Sequence, residues 1–347
     1  MDSKQFNTIL AAFRAGKVTG ARFASGERPK EIITSISHIF IYKKIVYKIY
    51  MRYNHVFNKH YTDLGRERVR RTFYHSDFTW NRYFSPDVYL RLLSVKTTDG
   101  VVVSNCTNPQ NSNAAPELVI EMSRVDSKNN LFDNMVRTRK FAAADAFRLG
   151  KLFEKRVLAF PRKNYELVRS KAFTAYMEGR AKDLDNWFPF CKGYVSDKEA
   201  RQFLVTLRSY LKKHGKEMNK RFVKEFSVTL DAHTANLFLD KKGLKTIDVY
   251  CVKKEWRGGS YLVDIFRIAA DILILTSTNS YNAFIAGCKT ARPDMNTEHA
   301  LFYMYYAALI KGPYLHLLAK DNPGYGSLSM LYLKFIRESQ LRLESQF

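Results

Sequence analysis

A chain of 347 residues with 46% apolar composition spread along its whole length is too long for one small core and has the make-up of a globular protein of two lobes or domains. Its formal net charge is +24, and no basic low-complexity tail concentrates the excess, which excludes a simple charged-arm binder. A surface this basic attracts nucleic acid, anionic membranes or acidic small molecules, and a lysine-rich proteome or a solubility device accounts for it equally well.

In chain order, residues 3–15 read as a leading helix and Gly16 to Lys30 as a loop. Residues 37–42 and 45–50 are both rich in β-branched and aromatic residues and flank Lys43-Lys44, a hairpin pattern without the favoured Asn-Gly turn. Residues 63–84 read as a helix that Pro86 stops, and Val88 to Val95 as a strand. Residues 97–116 are polar and read as a loop, and Leu118 to Met122 is a short apolar strand. From about residue 130 helices dominate, so the class is α+β, with the boundary near Ser123 to Asn130. One β island interrupts the helical part, where two short apolar runs flank Asp240-Lys241-Lys242-Gly243 and form a second hairpin. The apolar stretch from Tyr261 to Leu275 is broken by Asp264, Arg267 and Asp271, so it is a buried amphipathic helix and not a membrane span.

A polar cluster sits at each end of the second hairpin. Asp231 and Asn236 stand in a D-x-H-x-x-N pattern with His233 between them, and Asp248 follows Ile247 at the far end. Phosphoryl transfer needs a carboxylate to orient and deprotonate the acceptor hydroxyl, and oxygen ligands for the Mg²⁺ that bridges the nucleotide phosphates. Asp231 and Asn236 have the spacing of the kinase catalytic loop, D-x-x-x-x-N. The competing explanation is turn chemistry, because Asp and Asn are common at strand ends.

This segment resembles the catalytic segment of the aminoglycoside phosphotransferases and related small-molecule kinases. By that resemblance Asp231 is the catalytic base, Asn236 and Asp248 hold Mg²⁺, His233 supports the loop by hydrogen bonding, and Asp264, in Asp264-Ile265-Phe266-Arg267-Ile268-Ala269-Ala270-Asp271, braces it. The N-terminal part resembles one uncharacterised bacterial branch of that family, in Thr34 to Ile41, in Val46-Tyr47-Lys48-Ile49, and in Trp80 to Leu90. The resemblance makes Lys48 the strand lysine that contacts the ATP phosphates and Asp77 its helix carboxylate. It makes Glu117 to Met122 the hinge strand, where backbone groups of Ile120, Glu121 and Met122 would bind adenine. It implies a bilobal protein-kinase-like fold with a leading segment over 1–30, a nucleotide-binding lobe over 31–123, and a helical lobe over 124–347.

Several positions depart from the family pattern. Thr229-Leu230 stand before Asp231 where the family has His-Gly, Asp77 replaces a glutamate, and no G-x-G-x-x-G loop precedes Lys48, with Ser35 and Ser37 in the turn region instead. The stretch between Asp248 and Asp264 is long, which bears on the acceptor side.

Two basic stretches invite a polyanion reading. Arg66 to Arg71 lies on a helix beside Phe73 and Tyr74, and a solvated helix face competes with nucleic-acid contact there. Residues 211–224 hold Lys212, Lys213, Lys216 and Lys220 shortly before Asp231, which marks them for an acidic acceptor. Four widely spaced cysteines (Cys106, Cys191, Cys251, Cys288) with no CxxC pair exclude zinc-ribbon and disulfide-framework readings. Residues 1–17 lack a signal-peptide apolar core, so a cytoplasmic location is expected. The sequence therefore leads to an ATP- and Mg²⁺-dependent phosphotransferase acting on a hydroxyl of an unidentified small-molecule or acidic acceptor. The alternative is a basic pseudokinase that binds nucleic acid or another polyanion without turnover.

Overall fold

The computed structural model describes residues 3–34, 36–106, 117–161, 167 and 170–347, so Ser35 of the turn region and residues 107–116 of the expected 97–116 loop lie outside the described residues. The chain divides into two compact units. The first is residues 1–127 together with Lys245–Lys253, and the second is residues 128–244 with 254–347. The segment Lys245–Lys253, read from sequence as part of the helical region, therefore packs with the N-terminal residues.

In the first unit the elements are α1 (Ser3–Ala15), β1 (Val18–Thr19), β2 (Lys30–Ile33), β3 (Ser37–Ile41), β4 (Ile45–Tyr50), α2 (His55–His60), α3 (Glu67–Phe84), β5 (Tyr89–Lys96), β6 (Val101–Asn105) and β7 (Glu117–Ser123). The seven strands form one sheet in the order β1-β6-β5-β7-β4-β3-β2. The hairpin of β3 and β4 forms as the sequence indicates, with Ile39 opposite Lys48. Strand β6 is a correction, since residues 97–116 were expected to be loop throughout, yet Val102 to Asn105 pair with β5.

Phe6, Ile9, Leu10 and Phe13 recur at helical spacing on α1 and are buried against Phe40, Tyr47, Leu93, Val95 and Val119 of the sheet. Phe13 stacks on Phe40 at 5.4 Å between ring centroids, and its carbonyl accepts the Tyr42 hydroxyl. Each such side chain contributes about 1.5–3 kcal/mol by leaving water. On α3 the buried set Arg70, Phe73, Tyr74, Asp77, Trp80, Asn81 and Phe84 follows the same spacing, and the helix packs on β5 and β7. Arg70 and Arg52 both reach Glu117, at 3.3 and 2.8 Å, and all three are buried. Arg70 is thus structural, and Phe73 and Tyr74 are core residues, which removes the aromatics from any nucleic-acid surface on this helix.

In the second unit the helices are α4 (Leu131–Asp133), α5 (Ala143–Leu158), α6 (Phe173–Trp187), α7 (Asp197–Glu225), α8 (Leu262–Leu275), α9 (Thr278–Ala291), α10 (Ala300–Leu318) and α11 (Gly324–Glu344). Strand β8 (Phe226–Val228) pairs with β11 (Gly258–Ser260), and β9 (Leu237–Asp240) pairs with β10 (Gly243–Thr246), within which the chain passes back to the first unit. Gly243 has φ +139°, a conformation that only glycine adopts readily, which is why the hairpin turn ends on it. The run 211–224 lies on α7, where Lys212, Lys213, Lys216 and Lys220 are exposed and Leu211, Gly215, Met218 and Phe222 face inward. The strand after it ends at Val228, so Asp231 sits in the following loop and not on a strand. Among the described residues no helix is long and apolar enough to cross a membrane.

Candidate active site

Two groups of residues carry the chemistry, one in each unit. In the first unit Lys48 projects from β4, which is flanked by β3 and β7, so it is not on a sheet edge where a lysine would reach solvent. The side chain is 5% exposed. Its ammonium lies 2.5 Å from Asp248 Oδ1, 3.7 Å from Asp77 Oδ2 and 5.0 Å from the centre of the Tyr50 ring. Burial pulls the Lys48 pKa down, but the two carboxylates outweigh it and hold it above the ordinary value. Burial lifts the Asp77 carboxyl above its ordinary value, against the pull of Lys48.

Asp248 is placed by α3 and β5. The Asn81 side chain donates to Asp77 Oδ1 at 2.9 Å, and its own oxygen accepts from Val249 N at 2.9 Å. Ser85 Oγ accepts from Thr246 N at 2.7 Å, and the Tyr89 hydroxyl accepts from Asp248 N at 2.9 Å. Tyr250 packs on Phe73 and Trp80. Held this way, Asp248 has φ +51°, in the left-handed region that non-glycine residues rarely occupy, and its side chain stays 39% exposed. A strained residue fixed by this many bonds marks a position where the carboxylate direction matters.

The predicted hinge residues behave differently. Ile120, Glu121 and Met122 are paired with β4 on one edge of β7 and with β5 on the other, so their backbone groups serve the sheet. The fully buried Glu121 carboxylate accepts from Arg91 at 2.6 and 2.7 Å and from the Tyr47 hydroxyl at 2.8 Å. Paired on both edges, these three residues contrast with the expectation that their backbone groups bind a base.

In the second unit, residues 230–236 form a loop laid along one face of α8. Asp264, Arg267 and Asp271 are spaced three and four apart and share that face. Asp264 Oδ2 accepts from Leu230 N at 2.8 Å. Arg267 Nη1 lies 2.6 Å from Asp231 Oδ1. Asp271 Oδ2 accepts from Thr234 N at 3.2 Å and from Thr234 Oγ1 at 2.6 Å, while its Oδ1 accepts the Tyr332 hydroxyl at 2.5 Å. Asn236 donates through Nδ2 to the Asp231 carbonyl at 3.1 Å. Burial lifts Asp264 to about 8, against the opposing pull of the Leu230 N–H and of Arg180 and Arg267.

Asp231, Asn236 and Asp264 are therefore brought together as the sequence indicated. His233 sits in the same loop, but its buried Nδ1 has no hydrogen-bond partner among the described residues. Burial, with Lys311 and Arg267 near by, holds its pKa well below the usual imidazole range. The bracing expected of it is done by Asp264 and Asp271. Sequence reasoning missed Arg267, Asp271 and Asn81 as positioning groups, and the i, i+3, i+7 recurrence of charged residues in an otherwise apolar helix was the available signal for the first two.

Hard oxygen donors suit Mg²⁺, and Asp248 in the first unit and Asn236 in the second are each residues of that donor type. The buried ammonium of Lys48 fits a phosphate oxygen.

These features define a protein-kinase-like fold, α+β with a seven-stranded sheet and many helices. Neither a family model nor any curated protein sequence matches the chain. Solved structures do. The chain is similar to choline kinase from Cryptosporidium parvum Iowa II, with a TM-score of 0.53 at 10% identity, covering 97% of this chain and 96% of that one. It is also similar to a mutant aminoglycoside 2′-phosphotransferase-IIIa in its GDP complex, with a TM-score of 0.51 at 10% identity and 98% of each chain covered. These neighbours are small-molecule kinases and phosphotransferases, and at this identity the likeness is one of fold.

Proposed function

We propose that the protein is an ATP- and Mg²⁺-dependent phosphotransferase that phosphorylates a hydroxyl of a small acceptor. The observation that carries this is the buried Lys48 ammonium bracketed by Asp77 and Asp248, three residues from distant parts of the chain. A buried charge cluster of this kind is costly to fold unless it serves a ligand.

In this reading Lys48 holds nucleotide phosphate oxygens, and Asp77 fixes its position. Asn236 and Asp248 are the proposed oxygen ligands of the metal. A Mg²⁺ ion held there would offset the charge of the nucleotide phosphates. Asp231 accepts the acceptor hydroxyl proton and orients the oxygen for in-line attack, while Arg267 holds its carboxylate in place. Asp264 and Asp271 keep the loop rigid, so the base needs no rearrangement during reaction. The adenine partner is assigned to the backbone after Ser123.

The test is ATP turnover measured with pooled hydroxyl-bearing metabolites, with mass identification of the phosphate ester formed. Mg²⁺-dependent ATP binding and one phosphorylated product are expected. A protein that shows neither ATP·Mg²⁺ stabilisation nor ATP consumption overturns the reading.

A further inference from the structure

The helix α10 is apolar around its whole circumference except at its centre, where Lys311 occurs. Lys311 is 8% exposed. Its ammonium lies 4.9 Å from the centre of the Phe132 ring and 5.9 Å from that of Tyr314, and Tyr325 stands behind Phe132 at 6.4 Å. It makes no hydrogen bond and no ion pair with any described residue. Cation–π contact of this kind contributes about 0.5–2 kcal/mol, which offsets only part of the cost of taking most of a lysine side chain out of water with no protein hydrogen bond to its ammonium. A leucine or methionine would fill the same place at less expense to folding.

The surroundings say what the charge is for. The carboxylates near it are already engaged: Asp231 is held by Arg267, and Asp271 takes Thr234 and Tyr332. Burial lowers the Lys311 pKa, Asp271 and Asp231 favour its charged form, and Arg267 opposes it. Arg267 and Asp231 offset each other, and Asp271, bonded only by neutral groups, balances the Lys311 charge without forming an ion pair with it. The same charge reaches His233, whose Nδ1 is also without a partner among the described residues. Tyr314, whose pKa is raised by burial and by Asp231, is 42% exposed and gives this group an open side. Aromatic walls alone suit a cationic acceptor, but a buried ammonium already between them repels one.

We propose that Lys311, walled by Phe132 and Tyr314, receives a carboxylate or phosphate group of the acceptor, so that the substrate is a hydroxyl compound carrying an oxyanion. This rests on the phosphotransferase reading. The ammonium anchors the anionic end, Tyr314 covers it, and the hydroxyl is presented to Asp231.

Two measurements on the full chain test it, using wild type, Lys311→Met and Lys311→Arg. Methionine keeps the volume and removes the charge, so this variant should melt cooperatively at or above the wild-type temperature. The first measurement titrates inorganic phosphate and, separately, acetate by calorimetry against chloride at matched ionic strength, which tells phosphate recognition from carboxylate recognition. Binding of at least one anion is expected in wild type, weakened at least tenfold in Lys311→Met and largely kept in Lys311→Arg. Equal binding by wild type and Lys311→Met, or none by wild type, overturns the proposal. The second compares turnover of glycerate with glycerol, and of glucose 6-phosphate with glucose. A preference of at least tenfold for the anionic member of a pair is expected, lost in Lys311→Met with KM for ATP within about twofold. Preference for the neutral member, or an anion preference that survives Lys311→Met, overturns it as well. Should the protein show neither ATP·Mg²⁺ stabilisation nor ATP consumption while Lys311-dependent anion binding is present, the phosphotransferase reading fails and the anion site stands.

Discussion

Replacing Lys48 by methionine keeps the length of the side chain and removes the ammonium. Asp77, 3% exposed, then faces no cation. A carboxyl in that position takes a proton instead of staying charged, and doing so at pH 7 from the ordinary value of 3.8 costs about 1.36 kcal/mol for each of roughly 3.2 pH units, about 4 kcal/mol in all. That figure is a ceiling. Burial already lifts Asp77 in the intact protein, so part of the sum is present before the substitution. Asp248 is 39% exposed and recovers water when Lys48 is lost, so it adds little. The expected destabilisation at pH 7 is about 2–3 kcal/mol. The sign with pH follows from the raised pKa. A carboxyl whose folded pKa lies above its unfolded one stabilises at low pH and loses that contribution as pH rises through the folded pKa. Losing Lys48 raises the folded pKa of Asp77 further, so the gap between variant and wild type opens with rising pH, at up to about 1.4 kcal/mol per unit, and is small at pH 5. Urea unfolding at pH 5, 6 and 7 measures it, and adding Asp77→Asn to the variant should restore most of the loss. A variant as stable as wild type at pH 7, or a deficit that is the same at all three values, refutes the buried-pair account of Lys48.

Asp231→Asn should lower phosphotransfer at least about a hundredfold and leave ATP affinity nearly unchanged, read by steady-state kinetics beside nucleotide titration; wild-type turnover would remove it as the base. Asp248→Ala should abolish the extra thermal stabilisation that Mg²⁺ adds to ATP, and an unchanged shift would return Asp248 to plain turn chemistry. Asp264, lifted to about 8 by burial, contributes stability at low pH that is lost as pH rises from about 4 through about 8. Relative to wild type, Asp264→Asn should therefore gain roughly 1.4 kcal/mol per pH unit between pH 5 and 7 in urea melts, and a flat difference would mean that Asp264 is ionised at neutral pH. Changing Lys212, Lys213, Lys216 and Lys220 together to Gln should raise KM for an anionic acceptor and flatten its salt dependence; an unchanged salt slope would make these exposed lysines a general surface property.

What could be read from the chain was what local pattern controls. Alternating β-branched and aromatic residues marked the β3–β4 hairpin, Pro86 marked the end of α3, and the apolar runs around Asp240 to Gly243 marked the second hairpin. Among the short elements that escaped, β2, α2 and β6 are four to six residues long and depend on neighbours for stability, so their own composition is weak evidence. The site residues found from motif order were Lys48, Asp77, Asp231, Asn236, Asp248 and Asp264. Those missed act through partners distant in sequence: Arg70 meets Glu117, Asn81 meets Val249, and Tyr332 meets Asp271. Nothing in the residues around Lys311 announces that its ammonium is enclosed by Phe132, which comes from α4. The strand pairing that takes up the backbone of Ile120 to Met122 is likewise a property of the sheet and not of the hinge sequence.

The first unit is not a continuous stretch of chain, because it contains Lys245–Lys253. Lys48 and Asp248 are separated by 200 residues, yet they are in direct contact. During synthesis at about 5–20 residues per second, the strand lysine is made roughly 10–40 s before the carboxylate that lies closest to it. Over that interval the nascent sheet holds a buried ammonium with Asp77 alone, and the faces of Trp80 and Phe73 that Tyr250 later covers remain open. Most of the second unit is made in the same interval, so the N-terminal unit is completed late, by a segment that follows the D-x-H-x-x-N loop. A ribosome-stalled chain ending near residue 200 should then show the sheet but expose those aromatics to a chaperone or a protease, and only chains extended beyond Lys253 should close the surface around Lys48.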